Sequence, residues 1–448
     1  MNKRYGLMTA VTMIVGIVVG SGIFFKSTDI LQKTEGNITL AVLVFIIGAV
    51  SIVFGSLSMS ELALRTDKPG GIVTYFEEFV GGKTAAGFGW FQTFVYMPTI
   101  VIVVATVGSR FIGVLFGADF TVGQEILVGV ALVTLLFACN ILSAKAGGWM
   151  QNISTVIKFL PLLLLALAGI FWGDPQVFTP ELAQPAVRSA GWLTALAPMA
   201  FSYDGWVITT TIAHEVKNSK KNMPLALSIA PLLVLGIYLL YFLGLTNMLG
   251  VDIILSMDGS FAAMLAAERI FGSLGGKLIV ILIIVAIFGT VNGCVLGCIR
   301  MPYSMATKDM FFRSDLFERQ NKKLGMPVNS GICSYIICLV WFAVHYLASE
   351  FALLPGSDVS EIAIITSYAL YVVLYVKVIL LRRKGEIKSF VKGYVFPILA
   401  ICGSAVILVG GIAINPVIYS LVMLCGAVYY GRKRKKKGAS AAKDADTV

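Results

Sequence analysis

The sequence predicts an all-α membrane protein of twelve transmembrane helices, two of them interrupted at membrane depth. Three observations carry that prediction. Of the 448 residues, 58% are hydrophobic and only 13% charged, about half the charge of a soluble domain. The apolar residues fall in runs long enough to cross a bilayer. The first run, from about Leu7 to Leu31, carries Gly20-Ser21-Gly22-Ile23-Phe24 at its centre, and a later one carries Phe201-Ser202-Tyr203-Asp204-Gly205-Trp206. Broken helix at that depth is tolerated only where the freed backbone lines a cavity or is buried in protein. Two such breaks in matching places of two halves point to a secondary transporter with a central binding site.

Taken in order, the spans are predicted at roughly 7–31, 38–64, 84–113, 123–143, 149–172, 191–212, 224–248, 272–299, 330–349, 359–380, 393–412 and 415–430. The first continues past the length of a signal-peptide core and no Ala-x-Ala site follows it, so it reads as a span. Orientation follows the Lys/Arg bias. With the N-terminus inside, that face collects Lys3, Arg4, Arg65, Lys68, Lys83, Lys145, Lys217, Lys220, Lys221, the Arg300–Lys323 loop, the Arg382–Lys392 loop and the tail. The other face receives only Lys26, Lys33, Arg110, Arg188, Arg269 and Lys277. Both termini are therefore expected inside, in a multi-pass cell-membrane protein. The net charge of +11 is a topology signal, and nucleic-acid binding is not expected. The basic tail Arg432–Lys437 is either a stop-transfer flank or a patch that holds anionic lipid. Residues 431–448 read as a basic, disordered cytoplasmic tail.

The seven cysteines (Cys139, Cys294, Cys298, Cys333, Cys338, Cys402 and Cys425) lie in or beside apolar segments, and none falls in a predicted outer loop, so structural disulfides are not expected. Cys294 and Cys298 share one helix face, but two thiols with no His or acid beside them do not complete a zinc site. No metal and no cofactor is expected. There is no Ser-His-Asp arrangement, HExxH motif, Walker A loop or dinucleotide fingerprint, so an enzyme is not expected. An ion channel would need an acidic ring or a re-entrant filter, and neither is present.

The breaks supply the site chemistry. The half of the first span beyond its break starts with unpaired N–H groups and a positive dipole end, which suits a carboxylate. Gly20, Ser21 and Gly22 allow close approach, and Ser21 adds a hydroxyl. The break in the sixth span exposes carbonyls around Phe201, Ser202 and Asp204, which suit an ammonium group. Together they describe an α-amino acid site; the rival reading is a pair of packing kinks. Phe201, Tyr203 and Trp206 can gate a small substrate or simply pack between helices. Asp204 is placed to cap the restarted half-helix. Lys158 lies mid-span in the fifth helix, where a charge costs about 2.5–3.5 kcal/mol. It is a fixed cation where sodium would sit in a sodium-coupled relative, a titrating proton carrier, or a tie to backbone carbonyls. Asn292, in Phe288-Gly289-Thr290-Val291-Asn292-Gly293, needs a partner on the first helix or a site water.

At these residues the chain resembles a known family. Gly20-Ser21-Gly22-Ile23-Phe24 resembles the first-helix signature of the amino acid–polyamine–organocation superfamily. Phe201-Ser202-Tyr203-Asp204-Gly205-Trp206 and Phe288-Gly289-Thr290-Val291-Asn292-Gly293 resemble the sixth and eighth helices of its L-type amino acid transporter branch. His214-Glu215-Val216-Lys217-Asn218 with Lys221-Asn222-Met223-Pro224 is similar to that branch's loop after helix 6, with His214 in place of the usual first Glu. The resemblance implies the LeuT-type fold: a first repeat over residues 1–172 (helices 1–5), an inverted second over 191–380 (helices 6–10), and two extra helices over 393–430. It implies sodium-independent exchange of small neutral L-amino acids, most like an alanine–serine–cysteine exchanger of a bacterial inner membrane. By that resemblance Ser21, Gly22 and Ile23 bind the substrate carboxylate, while Phe201, Ser202 and Asp204 carbonyls bind the amino group. Phe201 gates, Lys158 couples helices 1, 5 and 8, Tyr238 and Asn292 support the site, and Glu61 and Glu215 belong to the cytoplasmic closing network. The loop from Gly113 to Val122 lacks the Cys that animal relatives use to bond a heavy subunit, so no disulfide-linked partner is expected. The alternative of the same fold is a proton-coupled symporter with Lys158 as the carrier.

Overall fold

A computed structural model describes residues 6–66, 68, 71–173, 191–206, 216–257, 259–321, 323–412 and 416–433. Helices lie at the predicted spans with two differences: the sixth is described only as far as residue 206, and the eighth begins at Gly259 and turns at Gly272, where the span was placed. α1 is split into Leu7–Val18 and Gly22–Lys33, and α2 is Ile38–Ala63. α3 runs Gly82–Phe116 and α4 Val122–Leu142. α5 is Ala144–Ile157 and then Phe159–Trp172, and the described part of α6 is Leu196–Ser202. α7 is Ser219–Leu249 and α8 is Gly259–Ala306, turned at Gly272. α9 to α12 are Val328–Glu350, Val359–Arg383, Phe396–Ile412 and Pro416–Lys433. Among the described residues there is no β-strand. Nine helices are long and apolar enough to cross a bilayer, or ten if the two halves of α1 count as one span. α12 and the described part of α6 fall outside that count.

Each interruption has a covalent cause. In α1 it is Val19-Gly20-Ser21, where the axis turns by 61°. In α5 the helix is interrupted at Lys158, three residues before Pro161. Proline has no N–H to give the carbonyl four residues back and its ring crowds that carbonyl. α3 carries a π-helical turn, Gln92–Tyr96, just before Pro98. Pro98 cannot donate to Phe94 O, and the indole Nε1–H of Trp341 takes that carbonyl at 2.6 Å.

The helices pack through small residues, since lipid supplies no hydrophobic drive between them. α5 meets α7 backbone to backbone: a Cβ on Gly169 would lie 2.1 Å from the Gly244 Cα. α8 lies along α3 and α5, α7 along α2, and α1's first half along α7. This places both breaks inside the bundle. The large apolar side chains left exposed, such as Leu127 on α4 and Leu167 on α5, lie on the outward faces that lipid covers.

Candidate functional site

The break in α1 and the end of α6 are in direct contact. A Cβ on Gly22 would lie 3.2 Å from both Phe201 Cδ1 and Ser202 Cα, so any larger residue would have to push the two segments apart by a few tenths of an ångström. The second half of α1 begins here, and its first N–H groups have no intrahelical acceptor. Ser21 stands at the N-cap without a side-chain capping bond. Its hydroxyl is buried, with no hydrogen-bond partner among the described residues. Ile23 is fully buried behind it.

Tyr238 joins the two breaks. Its hydroxyl lies 3.2 Å from Val18 O and 2.7 Å from Ser202 O. Those carbonyls end the first half of α1 and the described part of α6, where helical acceptors lose their donors. The Phe201 carbonyl accepts Asp204 N–H at 3.0 Å. Gly205 then takes φ 93° against Ile17, a conformation open to glycine and rarely to other residues. Tyr203 is fully buried and donates to Phe45 O at 3.3 Å. Trp206 packs edge-on to Tyr371.

Asp204 was expected to cap the restarted half-helix. Residues 207–215, which would form it, lie outside the described residues. The partner that is seen is Tyr96, whose hydroxyl donates to Asp204 Oδ2. The π turn of α3 aims Tyr96 there, and the sequence reading missed it. Pro98 was the available signal, since proline marks local irregularity in a helix.

Lys158 is buried at the interruption of α5, and its ammonium donates to Gly16 O of α1. No carboxylate among the described residues pairs with it. Gly16 belongs to the last turn of α1's first half, where a helix carries partial negative charge. The cation thus sits at a dipole end rather than in a salt bridge.

One expected partner differs. Asn292 does not bond α1: its amide donates to Gly147 O and Gln151 Oε1 on α5, and its oxygen accepts from Asn140 on α4. Thr290, two residues earlier, is the α8 side chain that faces Gly20, at 3.7 Å from a Cβ placed there. Residues two apart on a helix point to different sides. Glu61 pairs with Arg65 at 2.8 Å and Lys392 at 3.2 Å, tying α2 to the π turn Val391–Val395 that precedes α11. Glu215 and His214 lie outside the described residues.

A second charged group is seated beside the breaks. Lys26, counted in the sequence among the flanking charges of one face, is instead buried inside the second half of α1, 3% exposed. Its ammonium lies 2.9 Å from Asp358 and 3.1 Å from Glu361 on α10, and 3.4 Å from Asp29. It also stands 5.4 Å over the Phe201 ring. Ser357 Oγ donates to Glu361 at 2.6 Å. Burial, the largest single influence, would push the Asp358 carboxyl up; Lys26 beside it and the Ser360 hydroxyl, with a smaller part from His345, together outweigh that and hold it down to about 2. No group of His, Cys, Asp and Glu among the described residues is arranged to hold a metal.

Comparison with known proteins identifies the family. The amino acid permease family model matches residues 5–434. The serine/threonine exchanger SteT of Bacillus subtilis (strain 168) is 31% identical over an alignment 448 positions long, which covers 97% of this chain and 98% of that protein. The human b(0,+)-type amino acid transporter 1 is 27% identical over 245 residues, 54% of this chain and 50% of that protein. The human large neutral amino acids transporter small subunit 2 is 30% identical over 251 residues, 53% of this chain and 46% of its own. A match along nearly the whole length accompanies the unwound first helix and its contact with the sixth: this chain belongs to the amino acid permease family of the amino acid–polyamine–organocation superfamily, alongside the L-type amino acid transporters.

Proposed function

We propose that this protein is a sodium-independent, obligatory exchanger of small neutral L-amino acids such as alanine, serine and cysteine. The observation that carries the reading is the meeting of the two breaks: Gly22 against Phe201 and Ser202, with the Ser21 hydroxyl buried and unpartnered beside them. The N–H groups and hydroxyl of Ser21, Gly22 and Ile23 take the substrate carboxylate. Carbonyls of Phe201, Ser202 and Asp204 take its ammonium group, with Tyr238 holding the two breaks in register. Phe201 closes over the substrate. Asn292 supports α8 from behind through α4 and α5. The substrate side chain points to a neutral surround, which fits a small neutral amino acid better than a polyamine.

Lys158 acts as a fixed cation. It stabilises the end of α1's first half without an ion, which removes the need for sodium. Transport proceeds by alternating access between two inverted five-helix repeats, residues 1–172 and 191–380, with 393–430 as two added helices. Both termini face the cytoplasm, Glu61 and Glu215 serve the cytoplasmic closure, and the protein works in a bacterial inner membrane without a disulfide-linked subunit. A proton-coupled symporter is the second reading. It is favoured by one observation: Lys158 has no carboxylate partner among the described residues, so nothing fixes its proton.

The test is labelled alanine uptake into proteoliposomes, empty or preloaded with single amino acids, with and without sodium and with and without a pH gradient. Uptake only into vesicles preloaded with small neutral amino acids, indifferent to sodium and to pH gradient, is the expected result. Uptake into empty vesicles driven by an inward proton gradient would sink the exchanger reading and make Lys158 the carrier.

A further inference from the structure

We propose that Lys26, Asp358 and Glu361 form the latch that closes the outer side of the transport path, with Asp29 as its solvent-facing member. The proposal rests on the orientation and alternating access just described. Lys26 lies about one turn beyond Ser21-Gly22-Ile23, on the same rigid half-helix, and its two shortest ion pairs reach α10. That half-helix packs mainly on α6 and α8, so side-chain charge, more than backbone packing, joins it to α10.

Phe201 stands between the latch and the breaks. It touches the Gly22 position on one edge, and Lys26 lies over its ring. A movement of Lys26 away from α10 therefore carries the wall of the site with it.

The cluster also straddles the boundary between water and the dry interior. The side chains of Asp29, Asp358 and Glu361 are 38%, 18% and 1% exposed. A cavity of about 200 Å³ lined by His345, Ser349, Ser357 and Asp358 adjoins it. On opening, the carboxylates meet water within a short displacement, which limits the desolvation penalty that makes sealed ion pairs costly to separate. One ammonium faces three carboxylates. Without it, like charges are left side by side, and their repulsion favours opening. The ion pairs of the other end differ. Glu61–Lys392 and Glu77–Lys308 join framework elements, and none among the described residues includes the first half of α1.

The test reads access without substrate. Thr28→Cys places a thiol on the same half-helix at a position the closed structure shields from solvent, since Thr28 is 2% exposed. Its labelling by an impermeant maleimide added outside is measured in proteoliposomes, with the parent chain's own cysteines as background. Lys26→Met and Glu361→Gln are each expected to raise the labelling rate by about tenfold or more, as for a shift of a closed–open equilibrium. The exchange of charges in Lys26→Glu with Glu361→Lys is expected to bring it back towards the parent rate. Glu361→Gln keeps side-chain volume and carries the test if Lys26→Met does not insert. Unchanged labelling in these variants overturns the latch. Amino acid uptake in the same vesicles reads the exchange proposal separately, since labelling needs no substrate.

Discussion

The two halves of α1 have the same length and opposite attachments. In the second half every residue from Ser21 to Thr28 is buried, three carboxylates hold Lys26, and Phe25 and Phe201 pack edge-on at 5.8 Å. The first half is open along one side, with Met8 75% and Ile17 37% exposed. Its polar ties beyond its own helix are Lys158 to Gly16 O and Tyr238 to Val18 O. A broken helix thus becomes two bodies, one held by Coulomb attraction between side chains and one by donors to backbone carbonyls. The second half is held by ion pairs on the α10 side, and the break is less covered towards the first half, where Gly20 and Asp204 are only half-buried.

The strongest way to break this comparison is to remove the donor of the looser half. In Lys158→Met the hydrogen bond to Gly16 O is lost; a bond to a charged group contributes about 1.5–3 kcal/mol. Uptake in the exchange assay is expected to fall roughly ten- to 150-fold. Thermal unfolding in detergent is expected not to weaken, because no charged partner is left stranded when the buried ammonium goes. A variant that loses stability as well as transport would make Lys158 a packing residue. Next in size is Gly22→Ala, which acts at the pivot between the halves. The added methyl meets the backbone at Ser202, which cannot swing aside, and overpacking of this kind costs about 1–3 kcal/mol. Uptake is expected to drop by roughly 5- to 150-fold, while Gly16→Ala, whose Cβ meets only the Thr155 methyl at an ordinary 3.5 Å, changes little.

What could be read before the structure follows the range of the physics. Span positions were legible because hydropathy acts residue by residue against a slab of fixed thickness. The α1 break was legible because Gly-Ser-Gly is a local signal. Pro98 and Pro161 were equally local, and each marks an irregularity beside a side chain that reaches the breaks, Tyr96 to Asp204 and Lys158 to Gly16 O. The Lys26 cluster was not legible. Its two closest partners, Asp358 and Glu361, stand more than three hundred residues away, and a lysine near the end of an apolar run looks the same whether it flanks the membrane or is buried against acids. Asn292 failed for a related reason: a polar residue at depth needs a partner, yet only packing decides which neighbouring helix supplies it.

Tyr238→Phe sharpens the comparison more gently, because that hydroxyl serves both the first half of α1 and the end of α6. A neutral hydrogen bond contributes about 0.5–1.5 kcal/mol, so the apparent substrate affinity in exchange is expected to weaken roughly two- to tenfold. The maximal rate should change less, since Lys158 and Lys26 still hold their half-helices. Equal loss in both parameters would place Tyr238 in the moving step rather than in the register of the site.

The smallest effect is expected at an ion pair attached to neither half. Lys68 and Glu78 lie 2.9 Å apart at the N-terminal end of the bundle, outside the spans. Burial is the largest single influence on the Glu78 carboxyl and raises it, but bonds from Thr66 and Lys68 and the charges of Lys68 and Lys308 together outweigh it and the net displacement is downward. A carboxyl displaced downward contributes stability above its ordinary range, and that contribution is lost as pH falls through the lowered value. Lys68 is 69% exposed, and exposed pairs are screened by water and salt. Lys68→Ala is therefore expected to leave both the uptake rate and the Tm at pH 7 unchanged within error, and to leave the acid limb of the Tm profile nearly superimposable on the parent's. A clear loss of transport in this variant would show that a charge remote from α1 also sets the balance between its halves, and the difference between them could no longer be assigned to Lys26 and Lys158 alone.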